Sequence, residues 1–353
     1  MVTATHAAHE NASSVNHIRR ESRPTCCLCG ALGSPLYQGL RDRYFAAEGM
    51  WNIKRCQNAA CGLLWLDPTP AKQDLVKAYS SYYTHTDLRA PDESHLRSFK
   101  RAVRAGYLAY RYGYDNGGAR WMGLLAYLAP LRRAGLDFSV MYVPQISDGR
   151  LLEVGCGSGD MLKDMADLGW QVEGIDLDPA AVENSRRKGL NVRMGSLEEM
   201  GYRANWFDLI IMSHVIEHVY DPFLLLTECR RILKSGGRLV LVTPNVGSMG
   251  HRIYRSSWFH LDPPRHLRLF TVDSLTTLLQ SAGFLKTKVI TTIRDAGTVY
   301  VASQSVRRTA RYQIGSLQPR SARLFGKAMQ LLEWAWLMVD GRVGEEIAAI
   351  ARK

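Results

Sequence analysis

The chain has no apolar run long enough to cross a bilayer, which excludes a spanning helix. Its opening stretch, Met1 to Arg23, is polar and lacks an apolar centre, so no secretory signal is expected and a cytoplasmic location follows. Acid is in deficit: 33 Asp and Glu stand against 45 Lys and Arg, a net charge of +12. That imbalance points to an acidic partner (nucleic acid, an anionic membrane surface or a phosphorylated substrate) without choosing among them. Cysteines are scarce outside one stretch, with five of the seven between residues 26 and 61. In a reducing compartment such clustering points to metal rather than disulfides. Apolar residues are not lacking: they make up 46% of 353, enough for two domains with full cores.

Residues 1–24 are rich in Ala, Ser, Asn and His without periodicity, and disorder is expected there. Cys26-Cys27-Leu28-Cys29-Gly30 follows, and then Cys56 and Cys61 with Gly62 after them. Each pair makes a tight loop that aims two thiolates at one ion, and four such sulfurs close a tetrahedral structural zinc site. The first pair admits Cys26 or Cys27. Cys26 is preferred because it leaves two residues before Cys29, giving the set Cys26, Cys29, Cys56 and Cys61. Free cysteines in a core are the alternative. Tyr37 to Leu40 and Trp51 to Lys54 read as strands between the pairs. With no ligand position open, the ion should fold the module, residues 25–68, rather than do chemistry.

The chain is organised around Leu151-Leu152-Glu153-Val154-Gly155-Cys156-Gly157-Ser158-Gly159-Asp160. An apolar strand ends in a glycine turn, and Met161 to Leu168 continues as a helix. Glycines at alternate positions let the backbone turn sharply and leave no side chain where a ligand must lie. Gln171 to Asp176 is a second strand ending in an acid, about twenty residues after the turn, where doubly wound folds place the carboxylate that takes ribose hydroxyls. Asp178-Pro179 then starts a helix, with an acid at the N-cap and proline in the first turn. A dinucleotide fingerprint, Gly-x-Gly-x-x-Gly, would need its third glycine one residue later.

The sequence resembles the class I S-adenosylmethionine-dependent methyltransferases in four motifs in order: Glu153 to Gly159, Gly174-Ile175-Asp176, Phe207-Asp208-Leu209-Ile210, and Arg231 to Leu239. The resemblance covers residues 146–302 and implies an α/β, Rossmann-like, doubly wound seven-stranded sheet, here with a zinc-ribbon-like module in front and helical insertions. It implies that Glu153, Gly155, Gly157, Gly159 and Asp176 hold S-adenosylmethionine, with Leu177 and Ser213 beside them. The family often has Asp where this chain has Ser196, so the Leu197 backbone is expected to help hold adenine. The cysteine module followed by Gly62-Leu63-Leu64-Trp65-Leu66-Asp67-Pro68-Thr69-Pro70 is similar to a bacterial family that acts in polysaccharide, glycolipid and secondary-metabolite pathways and includes zinc-bearing deoxysugar C-methyltransferases. The departure is Cys27, where such modules commonly carry proline. A small-molecule or glycan acceptor, free or lipid-linked, is implied. An RNA base methyltransferase is the alternative, since zinc, basic charge and this fold also occur together there. A non-enzymatic membrane-associated assembly factor that keeps the cofactor fold is a third reading.

Methyl transfer needs alignment and removal of a proton from the acceptor, and histidine titrates near operating pH. The excursion after the strand Arg238 to Thr243 carries His251, Trp258, His260, Arg265 and His266, and resembles the acceptor-side loop of the same family. His266 is the first choice for the base, with His260 and His214 next. Ser213-His214-Val215-Ile216-Glu217-His218-Val219 follows the fourth strand and offers either a metal site or a structural brace. Ubiquinone-pathway O-methyltransferases have a similar patch, with Glu in place of His214.

Around this core, residues 69–145 read as a helical linker or lid. Helical spacing over 70–83 ends in Tyr79, Tyr82 and Tyr83, which either cap the donor or pack between domains. Leu96 to Tyr112 and Ala119 to Leu136 read as helices, and a helical insertion is expected at 306–341 within the 146–353 domain. Their arginines and aromatics suit either an anionic bilayer surface or packing on their own domain. Thr298 to Ser303 reads as a strand, and Glu345 to Lys353 as the last, antiparallel one. Oligomeric state is not legible.

Overall fold

The structure is a computed structural model that describes residues 17–79, 95–114 and 117–353. A seven-stranded sheet forms its centre: β6 (Arg150–Val154), β7 (Gln171–Asp176), β8 (Val192–Met194), β9 (Phe207–Ser213), β10 (Leu233–Pro244), β12 (Lys286–Thr292) and β13 (Glu346–Arg352). Its order is β12-β13-β10-β9-β6-β7-β8. Six strands point the same way, and β13 runs antiparallel to its neighbours β10 and β12. Central strands read as continuous apolar runs because helices cover both faces. Leu209, Ile210, Ile211 and Met212 of β9 are all buried.

The helices are α1 (His95–Tyr112), α2 (Pro130–Phe138), α3 (Asp160–Asp167), α4 (Pro179–Arg187), α5 (Pro222–Ile232), α6 (Met249–Tyr254), α7 (Val272–Ser281), α8 (Ala296–Thr309) and α9 (Arg320–Leu337). Their starts follow local chemistry. The Asp178 side chain accepts from the Ala180 amide with Pro179 at the first turn, Asp221 accepts from Leu224, and Thr271 and Ser274 form a reciprocal cap.

In front of the sheet, β2 (Gly33–Leu40), β3 (Trp51–Cys56) and β4 (Leu64–Leu66) form a small antiparallel sheet. Its fourth strand, β11 (Arg268–Leu269), comes from the far end of the chain and pairs with β4. The Thr271 hydroxyl also donates to the Cys61 carbonyl, 2.9 Å away. The cysteine module is therefore joined to the central domain through backbone pairing and a shared core that includes Leu63 and Trp65.

Three expectations are corrected. Residues 17–24, expected to be disordered with the tail, are structured: Ile18 is buried, and β1 (Arg20–Glu21) pairs with β5 (Thr69–Pro70). The helix expected over Ala119 to Leu136 is a 3₁₀ segment at Arg120–Leu128 followed by α2, because Pro130 cannot continue a helix and starts a new one. Thr298 to Ser303 lies inside α8, not in a strand. Its Val and Tyr content favours strands, but Gly297 packs so closely on Gly326 of α9 that a Cβ there would meet the Gly326 carbonyl oxygen at 3.1 Å. That helix–helix contact overrides propensity. Tyr82 and Tyr83 lie outside the described residues.

Candidate functional site

The glycine turn ends β6 with φ of +70° at Gly155, +52° at Gly157 and +75° at Gly159, the region that only glycine enters freely. A side chain on Gly155 would lie 2.5 Å from Val215 Cγ2, and one on Gly159 2.6 Å from Leu190 Cδ1. At the end of β7, Asp176 accepts from the Gly157 amide at 2.8 Å and the Asp178 amide at 2.9 Å. Glu153 is buried with Oε2 unpartnered, and burial with Asp176 nearby raises its carboxyl well above the usual range. An acid-lined, side-chain-free cradle of this kind fits a cationic nucleoside donor. Leu177 is exposed beside it. Ser196 and Leu197 follow β8, and the Ser196 amide donates to Glu199 Oε2 at 2.9 Å. Glu199 thus brings a carboxylate to the place where Ser196 has only a hydroxyl. It follows Ser196 by three residues, so it was findable in the sequence.

Val215 sits against Gly155, so the turn after β9 carries its histidine directly to the cradle. Ser213 ends the strand, and His214 has φ +53°. His214 Nδ1 lies 3.2 Å from Glu217 Oε1, and its Nε2 lies 2.8 Å from Glu346 Oε1. Glu346 also takes Arg294 Nε at 2.9 Å and Nη2 at 2.6 Å. Burial lowers the His214 pKa, but the two carboxylates outweigh it and hold His214 at about 9. Against burial, which alone would raise them, Glu217 and Glu346 are held at about 2 by His214 and Arg294. At neutral pH His214 is a cation with both nitrogens engaged.

The excursion 245–267 closes over this turn. The His260 ring stacks on His214, with centroids 5.8 Å apart. Its Nε2 is buried without a partner, and burial pushes its pKa well below the usual value. His266 donates from Nδ1 to the His260 carbonyl at 2.6 Å, and burial holds it at about 4. His218 Nδ1 lies 3.1 Å from the Arg265 carbonyl and 2.8 Å from the Tyr79 hydroxyl. Burial lowers His218 to about 4 as well. Ligand atoms of Glu217, His218 and His266 fall within 4.8 Å of one another. The suspected patch therefore gathers His266 in place of His214.

Arg265 anchors the excursion. It is fully buried and bonds Asp262 and, 223 positions away, both oxygens of Asp42 at 2.8 and 2.7 Å. His251 is held by the Val246 carbonyl and the Tyr37 hydroxyl, the latter 3.0 Å away in the cysteine module. Neither Asp42, Arg294 nor Glu346 was singled out from the sequence; each matters through a partner distant along the chain. In the module itself, Cys26 and Cys61 Sγ are 3.7 Å apart and Cys29 and Cys56 Sγ 3.4 Å. All four sulfurs lie within 4.8 Å. Cys27 is exposed and takes a bond from Arg268. A cavity of about 570 Å³ lined by Glu173, Arg193 and Trp206 shares no residue with this site.

Residues 119–289 match the family profile described as a methyltransferase domain. The fold is that of the class I S-adenosylmethionine-dependent methyltransferases. The methyltransferase match begins inside the stretch expected to be linker. Over 146 residues the chain is 34% identical to a ubiquinone biosynthesis O-methyltransferase of Cereibacter sphaeroides, covering 38% of this chain and 59% of that protein. Over 107 residues it is 38% identical to the enzyme of the same name from Xanthomonas oryzae, covering 28% of this chain and 45% of that one. The chain thus spans about half the length of these curated relatives. A solved S-adenosylmethionine-dependent methyltransferase from Archaeoglobus fulgidus is 22% identical, covers 70% of this chain and 99% of its own, and has a TM-score of 0.42.

Proposed function

We propose that this protein transfers a methyl group from S-adenosylmethionine to a hydroxyl of a small-molecule acceptor held beneath the excursion 245–267, with His260 taking the proton. One observation carries the reading: Val215 fills the space a Gly155 side chain would need, so the donor cradle and the histidine turn are a single wall. Bound there, the donor supplies a methyl group on a sulfonium. The chain's own task is alignment and proton removal. Neutral His260 has a buried Nε2 without a hydrogen-bond partner beside His214, whose own nitrogens both face carboxylates, and the His260 carbonyl accepts from His266 Nδ1. Similarity to proteins named for ubiquinone biosynthesis supports an aromatic hydroxyl as acceptor. Tritiated donor offered with a panel of catechols, sugars and RNA tests this. Label in a catechol is the expected result; label in RNA or sugar alone rejects it.

We further propose that Cys26, Cys29, Cys56 and Cys61 hold structural zinc. With Zn–S of about 2.3 Å, a tetrahedral site needs sulfurs about 3.8 Å apart, and the spacings of 3.7 and 3.4 Å support that fit. Metal analysis of the purified chain should find one zinc per protein, lost in Cys56→Ser.

A further inference from the structure

The helix α9 is apolar on two sides. Its inner face packs Met329, Trp334 and Leu337 on the core beside Gly326, Gln330 and Glu333: Gln330 donates to the Ile293 carbonyl at 2.7 Å, and Glu333 accepts from the Tyr300 hydroxyl at 2.6 Å and the Glu345 amide at 2.7 Å. Its outer face carries Leu324, Leu331, Leu332 and Trp336, continued past the helix by Met338 and Val339, all exposed. A helix folded only for its own domain turns the apolar stripe inward. Here one apolar side is packed inward and a second apolar stripe is left facing out.

A second patch stands nearby. Along Arg120–Leu128, Trp121 is 68% exposed and Leu128 81%, with Leu124 and Tyr127 also exposed. The segment is not loose, since Gly123 and Ala126 are buried and Gly123 packs on Gly106 of α1. Between the patches lies α2, whose Leu131 and Ala134 pack on the same core as Trp334 and Leu337 of α9. Charge tells what covers this face. Lys100, Arg101, Arg111, Arg120, Arg132, Arg133, Arg323 and Lys327 lie on these elements, against only two acids, Asp137 and Glu333. Asp137 is spent on Tyr107, Tyr112 and Arg111, and Glu333 is buried. Arg133 stacks over Tyr127 at 5.0 Å from the ring centroid, so cation and aromatic share the surface. A second copy of the chain would bring like charge against like charge. Among the described residues no helix is long and apolar enough to cross a membrane, so the face would lie on a bilayer rather than in it.

We propose that α9 and the segment 120–128 form a docking face for an anionic phospholipid bilayer, with leucines and tryptophans entering the headgroup boundary and arginines and lysines meeting lipid phosphates. The proposal stands apart from the choice of acceptor.

The test is co-sedimentation of the full chain with phosphatidylcholine vesicles, with and without an equal part of phosphatidylglycerol. The chain should pellet with the anionic vesicles, less so as salt rises. Leu332→Ser/Trp336→Ser should bind roughly ten-fold or more weakly, at unchanged donor affinity. Trp121→Ser provides the same comparison from the other patch should the first variant not fold. Absence of binding to either vesicle, or equal binding to both, overturns the proposal. So does a wild-type dimer in light scattering that Leu332→Ser/Trp336→Ser converts to monomer, which would make a second copy the occupant.

Discussion

The two sides of the crevice are built differently. On the donor side, the hydrogen bonds to Asp176 join residues close along the chain: the glycine turn, Asp176 and Asp178 span fewer than thirty positions, and backbone amides do the donating. On the acceptor side, Asp42 meets Arg265, His214 meets Glu346, and Tyr37 meets His251, pairs 223, 132 and 214 positions apart. The donor side relies on conformations that only certain residues adopt. The acceptor side relies on buried charge held by partners from distant elements, and is correspondingly sensitive to losing one of them. The difference teaches that one crevice can have one wall written locally and one assembled by folding.

The sharpest way to break this comparison is to damage one wall and read the other. His260→Ala should lower turnover by about 10²–10⁴-fold, the usual worth of a general base, while calorimetric donor affinity stays put. A matching fall in donor affinity would mean the walls are not separable. Arg265→Met comes next: it leaves Asp42 and Asp262 buried without their cation, and should cost about 3–5 kcal/mol in urea unfolding. A loss below about 1 kcal/mol, the range of surface pairs, would show the triad is not the anchor.

The His214 network predicts a pH signature. Its folded pKa of about 9 lies above the ordinary 6.5, so its stabilisation is complete below about 6.5 and fades as pH rises through about 9. Wild-type protein should therefore lose about 3 kcal/mol between those limits, and His214→Asn should show a flatter profile; parallel profiles would remove His214 from the network. The smallest effect belongs to the donor wall. Asp176→Ala should weaken S-adenosylmethionine binding by about 1–3 kcal/mol, one charged hydrogen-bonded group, and also lower Tm, since the Gly157 and Asp178 amides lose their acceptor. Unaltered affinity by calorimetry would take Asp176 out of the donor site.

Much of this was legible beforehand because its causes are local. Alternating glycines, an acid at a strand end, and a proline after an N-cap act within a few residues, and the strands that hold them are apolar runs bounded by turns. The module strands and the antiparallel last strand were readable for the same reason. Thr298 to Ser303 was misread because its β-branched and aromatic content is a preference, while the Gly297–Gly326 contact that decides it lies in another helix. Arg294 and Glu346 carried no signal at all: an arginine after one strand and a glutamate opening another look like ordinary solvated charges until β12, β13 and β9 set them around His214.

By itself the sequence determined the alternation of strands and helices, the glycine turn after β6 and the pairing of the cysteine loops, since steric limits on φ and the short reach of a turn act before any packing. Only the tertiary structure decided which histidine keeps a free nitrogen, which is charged, and that α9 turns its leucines outward. Those outcomes depend on burial and on the charges nearby, which are properties of assembled elements rather than of any stretch of chain.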